Sequence, residues 1–330
     1  MEQRKLGKTG RDVSVVGMGC WQLGSDWGST PLTEDDGLAI LDAAVDAGVT
    51  LLDTADVYGD GISEKMIGRF LAERRPAGIT VATKMGQRAD PHSPEAYNIT
   101  NFREWIDRSR KNLGVDVIDL MQLHCPPTPV FSDDRVYDAL DNLVYEGVLG
   151  GYGVSVETCA EAMTAIAHPG VASVQIILNI FRQKPLEQVV PAAAAAGVAI
   201  VARVPLASGM LSGKYDESTT FSPADHRNYN LHGEEFDVGE TFSGVPYEVG
   251  IRVAREVAAL TPTGTTTAQL ALRWIVDQPG VTTTIPGART VRQAIENAGA
   301  GSLPPLTDDL RSALRSLYDS EIRGYVHARW

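Results

Sequence analysis

The composition of this chain excludes several classes of protein before any motif is considered. It has 330 residues, of which 43% are hydrophobic and 22% are charged, and its formal net charge is −13. These values are ordinary for a globular protein with one large or two smaller domains. The acidic balance disfavours nucleic acids and anionic membranes as partners, because phosphate binding needs clustered Lys and Arg.

The cysteines and the apolar stretches predict a cytoplasmic protein. Cys20, Cys125 and Cys159 are scattered and form no C-x-x-C pair, which is typical of a reducing compartment. No apolar signal core follows the charged N-terminal residues. The longest apolar stretch, residues 189–202, is too short for a membrane span and is better explained as a helix end followed by a strand.

The first predicted element is a β-hairpin, in which Lys8, Thr9 and Gly10 separate two short strand-like pieces. Strand and helix patterns then alternate. Eight strand candidates are nearly continuous apolar runs, at residues 15–19, 50–54, 79–84, 118–124, 151–155, 171–179, 198–205 and 281–286. Such runs are typical of parallel strands buried on both faces.

Helical patterns lie between the strand candidates. They occur at residues 34–47, from Ser63 as a predicted N-cap, and at 102–113, 133–145, 159–167, 186–196, 268–277 and 291–298. About eight β–α pairs predict a (β/α)8 TIM barrel, as a single domain over residues 1–330. The hairpin would cap it, and residues 307–322 would add a C-terminal helix. A doubly wound open sheet is the main competitor, but Gln22 stands where its glycine fingerprint needs a third glycine after Gly17 and Gly19.

Residues 207–246 do not follow the β–α repeat. They are rich in Gly, Ser, Asp and His and show little periodicity. A loop of this length after a barrel strand is usually functional, so we expect a lid or a substrate wall.

Four polar residues lie at or just beyond the ends of three successive strand candidates. Asp53 and Tyr58 follow one strand, Lys84 ends the next, and His124 ends the third. Each alone has an ordinary explanation, such as a turn, packing, a solvated cation or a satisfied buried group. The C-terminal ends of barrel strands meet in one pocket, however, so together these residues predict an active site.

The four side chains suit the protonation of a carbonyl oxygen during hydride addition. A free Tyr has a pKa of about 10 and is a weak acid near neutrality. A nearby ammonium favours the phenolate, so we expect Lys84 to lower the pKa of Tyr58. Asp53 can fix Lys84 by a charge-assisted hydrogen bond, and His124 can orient the carbonyl.

The motifs around these residues resemble those of the aldo-keto reductase family. The resemblance rests on residues 53–59 with Ser63 and Glu64, residues 82–84, Leu123-His124, 153–155, the Gln175 strand, 205–215, 285–289 and 293–297. It covers nearly the whole chain, in order. It implies a (β/α)8 barrel that binds NADPH without a Rossmann domain or a metal, and that reduces aldehydes or ketones.

The resemblance also implies roles for individual residues. Tyr58 would be the proton donor, Lys84 and Asp53 its tuning pair, and His124 the group that orients the substrate. The residues expected to bind the cofactor are Ser155, Gln175, Arg203, Pro205, Leu206, Ser208, Gly209, Leu211, Gly213, Pro286, Gly287, Ala288, Arg289, Gln293, Glu296 and Asn297. Among them, Arg289 opens a predicted helix and would pair with the 2′-phosphate. Trp21 and Trp27 would line the substrate mouth, or they simply cover the core.

The sequence departs from the family pattern at two positions. Val156 stands where an Asn usually contacts the carboxamide, and Arg203 stands near the usual nicotinamide-stacking Tyr. Arg203 would stack on the ring or meet the cofactor phosphates. The pattern is similar to a bacterial branch near the general-stress and inositol-associated reductases.

Two other functions remain as alternatives. An NADPH-sensing regulatory subunit, like the potassium-channel β-subunits that the chain also resembles, would bind the cofactor and turn over slowly. A metal-dependent barrel hydrolase needs clustered His and carboxylate ligands, and the sequence has no His pair at ligand spacing.

Overall fold

The computed structural model describes residues 1–24 and 32–330, and these residues form a barrel of eight parallel strands below which a hairpin is packed. The hairpin strands are β1 (Gln3–Lys5) and β2 (Asp12–Ser14). The barrel strands are β3 (Met18–Gly19), β4 (Leu51–Asp53), β5 (Thr80–Met85), β6 (Leu120–His124), β7 (Tyr152–Ser155), β8 (Val171–Ile177), β9 (Ala199–Arg203) and β10 (Thr283–Thr284). Parallel bridges from Val16 to Thr284 and from Gly19 to Gly287 join the first strand to the last, so the predicted (β/α)8 fold is confirmed.

Helices surround the barrel. They are α1 (Glu34–Asp46), α2 (Ile62–Arg74), α3 (Ile99–Leu113), α4 (Asp134–Tyr145), α5 (Cys159–Ile166), α6 (Val189–Ala196), α7 (His226–Tyr229), α8 (Tyr247–Ala259), α9 (Thr267–Val276), α10 (Val291–Gly299), α11 (Asp308–Leu317) and α12 (Arg323–Val326). Thr33, Thr158 and Thr266 each close a capping box, which satisfies backbone N–H groups at the starts of α1, α5 and α9. The described helices include none that is both long enough and apolar enough to cross a membrane.

Two helix predictions need correction. Ser63 is not an N-cap: α2 begins at Ile62 after Gly61, and the Ser63 hydroxyl donates instead to the Cys20 carbonyl at 2.8 Å. In addition, no helix is predicted for residues 247–259. There α8 buries an apolar face that includes Ile251 and Val257, and it precedes α9 between β9 and β10. The barrel repeat of one helix per strand does not predict such a second helix.

The hairpin closes the N-terminal end of the barrel. Leu6 and Val13 from the hairpin are buried against the barrel interior, in a cluster with Leu51, Ala82, Leu120, Ala172, Ala199, Val201 and Ile285. Gly7 allows this close approach, because a Cβ atom there would lie 1.9 Å from the Ala172 carbonyl oxygen. This end of the barrel is therefore a packed apolar core, and polar chemistry is left to the other end.

The polar side chains of the site follow from the alternation of side chains along each strand. Residues two apart on a strand face the same side. The interior residues Leu51, Ala82, Leu120 and Val201 are each followed, two positions later, by Asp53, Lys84, Gln122 and Arg203. These polar side chains therefore point into the barrel, directly above the apolar cluster that Leu6 and Val13 form with the barrel residues.

Candidate active site

Asp53 and Lys84 form a buried ion pair inside the barrel. Lys84 Nζ donates to Asp53 Oδ1 at 2.6 Å and to the Thr54 carbonyl at 2.8 Å, and its side chain is 1% exposed. Burial, the largest single effect, lowers the pKa of Lys84, but the charges and hydrogen bonds of Asp53 and Tyr58 together outweigh it, so the pKa is raised above its ordinary value. Lys84 is thus a fixed cation at the end of β5.

Tyr58, in the segment that follows β4, lies beside the Lys84 ammonium group. Lys84 Nζ donates its third hydrogen bond to the Tyr58 hydroxyl oxygen at 3.3 Å, and it lies 4.9 Å from the centre of the Tyr58 ring. Since the Tyr58 oxygen accepts from Lys84, its own O–H hydrogen is free to be donated to another acceptor. The phenol is thereby oriented as a proton donor.

The expected lowering of the Tyr58 pKa needs correction. Removal of the phenol from water raises its pKa above the ordinary value. Lys84 acts in the opposite direction, as the sequence analysis expects, but Asp53 adds to the raising effect, and the net direction is upward. Sequence patterns do not show how far a side chain is removed from water. In this structure Tyr58 is therefore a protonated phenol throughout the neutral range.

His124 faces Tyr58 across the site, with the two ring centres 5.9 Å apart and the rings nearly perpendicular. Its Nδ1 is buried and has no hydrogen-bond partner among the described residues. Burial, followed by the positive charges of Lys84 and Arg203, lowers the pKa of His124 well below its ordinary value of 6.5. The imidazole is therefore neutral at neutral pH and keeps one N–H for donation to a substrate oxygen.

Two amides that face Asp53 complete the buried network. Gln122 Nε2 and Gln175 Nε2 both donate to Asp53 Oδ2, at 3.1 and 2.8 Å. Gln175 is expected at the nicotinamide, whereas Gln122 has no predicted role. The sequence could have indicated that Gln122 belongs to the site, because it lies two residues before His124 on the same strand and thus on the same face.

Ser155 and Arg203 lie beside this network at the ends of β7 and β9. The Ser155 hydroxyl is within 3.5 Å of Cys125 Sγ, and burial raises the pKa of that thiol, which disfavours a cysteine nucleophile. Arg203 donates to the carbonyl of Val156 at 2.8 Å and to Glu157 at 3.0 Å.

Arg203 is also paired with Glu240, a residue of the 207–246 loop. Burial, the largest single effect, lowers the pKa of the Arg203 guanidinium, but Glu157, Cys125 and Tyr58 together outweigh it and the pKa is raised. Two carboxylates, Glu157 and Glu240, therefore hold this cation, and neither is among the predicted site residues. They lie far apart in the chain, on the segment after β7 and in the loop, so no local pattern connects them to Arg203.

The predicted pyrophosphate segment is a turn of unusual backbone conformation. Ala207, Ser208 and Gly209 have φ of 47°, 54° and 98°, and Gly213 has φ of 72°. Such turns direct successive backbone N–H groups to one side, which suits an anion. The Ser208 hydroxyl donates to the Glu240 carbonyl at 2.9 Å, so the 207–246 loop is fixed directly onto this turn.

The predicted adenosine segment connects β10 to α10. The Arg289 N–H donates to Gln293 Oε1 at 2.8 Å, and Asn297 Nδ2 donates to the Gly287 carbonyl at 3.1 Å. Arg289 itself precedes the N-cap Thr290 rather than opening the helix. Glu296, also expected at the cofactor, pairs with Arg292 at 2.7 Å.

The 207–246 loop is packed against both the first barrel loop and the end of the sequence. His226 of α7 contacts Trp21 edge to face, with the ring centres 5.0 Å apart. Trp330 Nε1 donates to Asp237 at 3.0 Å, and the Arg182 guanidinium lies over the Trp330 ring at 3.6 Å. The role of this loop as a substrate wall stays a prediction, as does that of Trp21. Trp27 lies outside the described residues.

One further concavity lies away from the residues of the candidate site. A concavity of about 700 Å³ is lined by Arg4, Arg311 and the starts of β9 and β10, so it lies at the opposite end of the barrel from Lys84 and His124. Within residues 1–24 and 32–330, no group of three or more His, Cys, Asp or Glu side chains is arranged to hold a metal ion.

Comparison with known proteins agrees with the fold and the motifs. The Aldo/keto reductase family model matches residues 15–319. The uncharacterized oxidoreductase YqkF of Bacillus subtilis (strain 168) is 30% identical over 319 residues, 96% of each chain. The NADP(+) aldo-keto reductase yakc of Schizosaccharomyces pombe is 30% identical over 304 residues, 89% of this chain and 85% of the relative.

Solved structures share the architecture. The glycerol dehydrogenase AKR11B4 from Gluconobacter oxydans superposes with a TM-score of 0.79 at 26% identity, covering 97% of this chain and 96% of that one. The holo form of the aldo-keto reductase AKR11C1 from Bacillus halodurans gives a TM-score of 0.75 at 26% identity, covering 96% of each chain.

Proposed function

This chain belongs to the aldo/keto reductase family, and we propose that it reduces aldehydes or ketones to alcohols with NADPH, using Tyr58 as the proton donor. One observation carries the proposal. The hydroxyl oxygen of Tyr58 accepts a hydrogen bond from Lys84, which is itself held by Asp53, and the neutral ring of His124 faces Tyr58. A proton donor, Tyr58, and a second hydrogen-bond donor, His124, thus face each other above the apolar cluster of the barrel interior.

The proposed chemistry divides between cofactor and protein. When bound, the nicotinamide supplies the hydride, which is the cofactor's own chemistry. His124 donates its N–H to the substrate carbonyl oxygen and orients it. Tyr58 transfers its proton to the oxygen as negative charge develops there. The Lys84 ammonium then stabilises the resulting phenolate, and Asp53 keeps that ammonium in place.

The residues present suit a dinucleotide. The positive-φ turn at residues 207–209 offers backbone N–H groups to a pyrophosphate. Arg289, after β10, would supply a cation for the phosphate end, whereas the Arg203 cation is already paired with Glu157 and Glu240. Ser155 and Gln175 are buried on β7 and β8 and would hold the nicotinamide end. The Schizosaccharomyces pombe relative yakc is an NADP(+) aldo-keto reductase, which supports NADPH as the cofactor.

The setting of the protein is part of the proposal. We propose a single domain over residues 1–330 in the cytoplasm, acting on small carbonyl compounds, and the three cysteines, all free thiols, suit a reducing compartment. A bacterial branch near the general-stress and inositol-associated reductases stays a prediction from the sequence motifs; two of the relatives, YqkF and the aldo-keto reductase YhdN, are Bacillus subtilis proteins.

The decisive experiment is a titration with NADPH followed by addition of 4-nitrobenzaldehyde. We expect binding, and then loss of the NADPH absorbance band at a rate that depends on Tyr58. Tight binding without consumption of this reactive aldehyde would contradict the reductase proposal and favour the sensing subunit. Absence of binding would contradict both.

The pH dependence of kcat/KM should show whether the pKa of Tyr58 is raised or lowered in the working enzyme. With the Tyr58 pKa raised and the His124 pKa lowered, neither group changes charge between about pH 6.5 and 9. We therefore expect kcat/KM for aldehyde reduction to be level over that range. A fall between pH 7 and 8 would contradict this and show that Lys84 dominates the Tyr58 pKa in the working enzyme.

The lowered His124 pKa also makes a prediction for stability. Below its ordinary pKa of 6.5, the unfolded chain binds a proton at His124 that the folded chain does not bind. The free energy of unfolding should therefore decrease as the pH falls below 6.5, and replacement of His124 by Gln should remove that contribution. Urea unfolding of both proteins at pH 5 and 7.5 measures it, and an unchanged pH dependence in the variant would contradict it.

Arg289 should determine the preference for NADPH over NADH. Removing a charge-assisted hydrogen bond to the 2′-phosphate should weaken NADPH binding about tenfold to a hundredfold, and leave NADH binding within about twofold. Fluorescence titration of Arg289→Ala with both cofactors measures this. Arg292→Ala is a matched control, because Arg292 is exposed on α10 and paired with Glu296. Equal weakening of NADPH and NADH would contradict the phosphate role.

A further inference from the structure

Gln122 lies at the centre of the polar network and has no role in the chemistry proposed above. It is on β6, two residues before His124, and its side chain is 0% exposed. Its Nε2 donates to Asp53 Oδ2 at 3.1 Å, and its Oε1 accepts from Gln175 Nε2 at 3.2 Å. Gln122 therefore contacts both the anchor of the proton-donor group and a residue proposed to bind the cofactor.

The hydrogen-bond pattern fixes the orientation of both amides. An ionised carboxylate only accepts hydrogen bonds, so Gln122 and Gln175 must each present an amino group to Asp53 Oδ2. The Gln122 carbonyl oxygen is then left to accept the second hydrogen of the Gln175 amino group. Both hydrogens of that amino group are thereby used within the network, and the Gln175 carbonyl oxygen is the end left for another donor.

We propose that Gln122 is a positioning residue, which fixes the direction of the Asp53 carboxylate and of the Gln175 amide and so links the proton-donor group to the cofactor-binding group. The proposal rests on the proposed function, because it gives the freed Gln175 carbonyl oxygen to the N–H₂ of the nicotinamide carboxamide. The Gln175 amino group has two acceptors, Asp53 Oδ2 and Gln122 Oε1. Without Gln122 it loses one of them, and the orientation of the Gln175 amide toward the nicotinamide is less well fixed.

A purely structural role makes different predictions. Gln122 would then be an ordinary satisfied polar group of the barrel interior, and its loss would lower stability without a specific effect on cofactor binding. The two roles are separated by a variant whose hydrogen-bonding pattern depends on pH.

Gln122→Glu is that variant. A protonated Glu reproduces the wild-type pattern, because its O–H donates to Asp53 Oδ2 and its carbonyl accepts from Gln175 Nε2. An ionised Glu cannot donate, and its charge would face the Asp53 carboxylate. Since burial and a neighbouring carboxylate both raise a carboxyl pKa, the change should fall roughly between pH 5 and 8.

The experiment compares wild type, Gln122→Glu and Gln122→Leu by NADPH affinity, by thermal stability without cofactor and by kcat/KM, from pH 5 to 8.5. For Gln122→Glu we expect NADPH affinity near wild type at pH 5 and about tenfold weaker at pH 8, with a parallel loss of stability that wild type does not show. Gln122→Leu should bind about tenfold more weakly at every pH.

Gln183→Leu is a matched control, since Gln183 is also a buried glutamine but donates to the Ile180 carbonyl, outside the network. It should lose stability and keep the wild-type NADPH affinity. If Gln122→Leu does not fold, the pH dependence of Gln122→Glu carries the test, because this variant retains both hydrogen bonds at about pH 5 and loses one of them at about pH 8.

The outcomes distinguish the two proposals. Wild type that binds NADPH, together with a Gln122→Glu affinity that follows the wild-type pH dependence, overturns the positioning role alone. Equal losses of NADPH affinity in Gln122→Leu and Gln183→Leu overturn it as well. Wild type that binds no NADPH overturns the proposed function and this inference with it.

Discussion

Replacement of Tyr58 by Phe should leave NADPH affinity within about twofold of wild type and lower kcat by about 10²- to 10⁴-fold, the usual contribution of a positioned general acid. The substitution removes only the hydroxyl that accepts from Lys84, and the ring can keep its edge-to-face contact with His124. Stopped-flow or steady-state loss of NADPH absorbance measures kcat, and fluorescence titration measures affinity.

A second tyrosine provides the control. Tyr152 on β7 is also buried, and its hydroxyl donates to Asp141 at 2.8 Å, away from the Asp53–Lys84 pair. Tyr152→Phe should lower the free energy of unfolding by about 1 kcal/mol and leave kcat near wild type. If Tyr58→Phe kept turnover within tenfold of wild type, His124 would become the better candidate for the proton donor.

The barrel and the proximity of the four predicted residues were accessible from sequence because both depend on local periodicity. Apolar runs mark the strands, and polar residues at their C-terminal ends must meet if the barrel closes. In the structure, Lys84 donates hydrogen bonds to both Asp53 and Tyr58, and the His124 ring lies against Tyr58.

The features that sequence did not reveal depend on contacts between distant segments. Glu240 reaches Arg203 from a loop with no periodicity, and Gln122 bonds to residues on strands β4 and β8. The direction of the Tyr58 pKa depends on burial, which a list of neighbours along the chain does not give. Departures from the family pattern, such as Arg203, could be located by alignment of motifs, but their partners could not.

The largest combined effect on stability and turnover is expected from breaking the Asp53–Lys84 pair. Lys84→Met leaves a buried carboxylate without its cation, and loss of one partner of a buried pair typically costs about 3–5 kcal/mol. It also removes the positive charge beside Tyr58, so kcat should fall by about 10²-fold or more. Urea unfolding and NADPH consumption measure the two effects separately.

The double variant Asp53→Asn with Lys84→Met should separate stability from catalysis. Replacing both partners by neutral groups removes the unpaired charge, so most of the stability should return while kcat remains low. This variant also keeps the test possible if Lys84→Met alone does not fold.

Arg273 and Asp277 of the α9 region form another ion pair with buried side chains, at 2.5 Å and outside the site, although Asp277 also lies 3.8 Å from Arg311. Arg273→Met should therefore lower stability, less than Lys84→Met does, and should leave kcat near wild type in the fraction that is folded. If kcat in the Asp53→Asn and Lys84→Met double variant recovered together with stability, the ion pair would serve the fold alone, and the tuning of Tyr58 by Lys84 would be wrong. If stability recovered and kcat did not, the barrel would tolerate a neutral pair at this level, and the charge would be retained for the proton transfer from Tyr58.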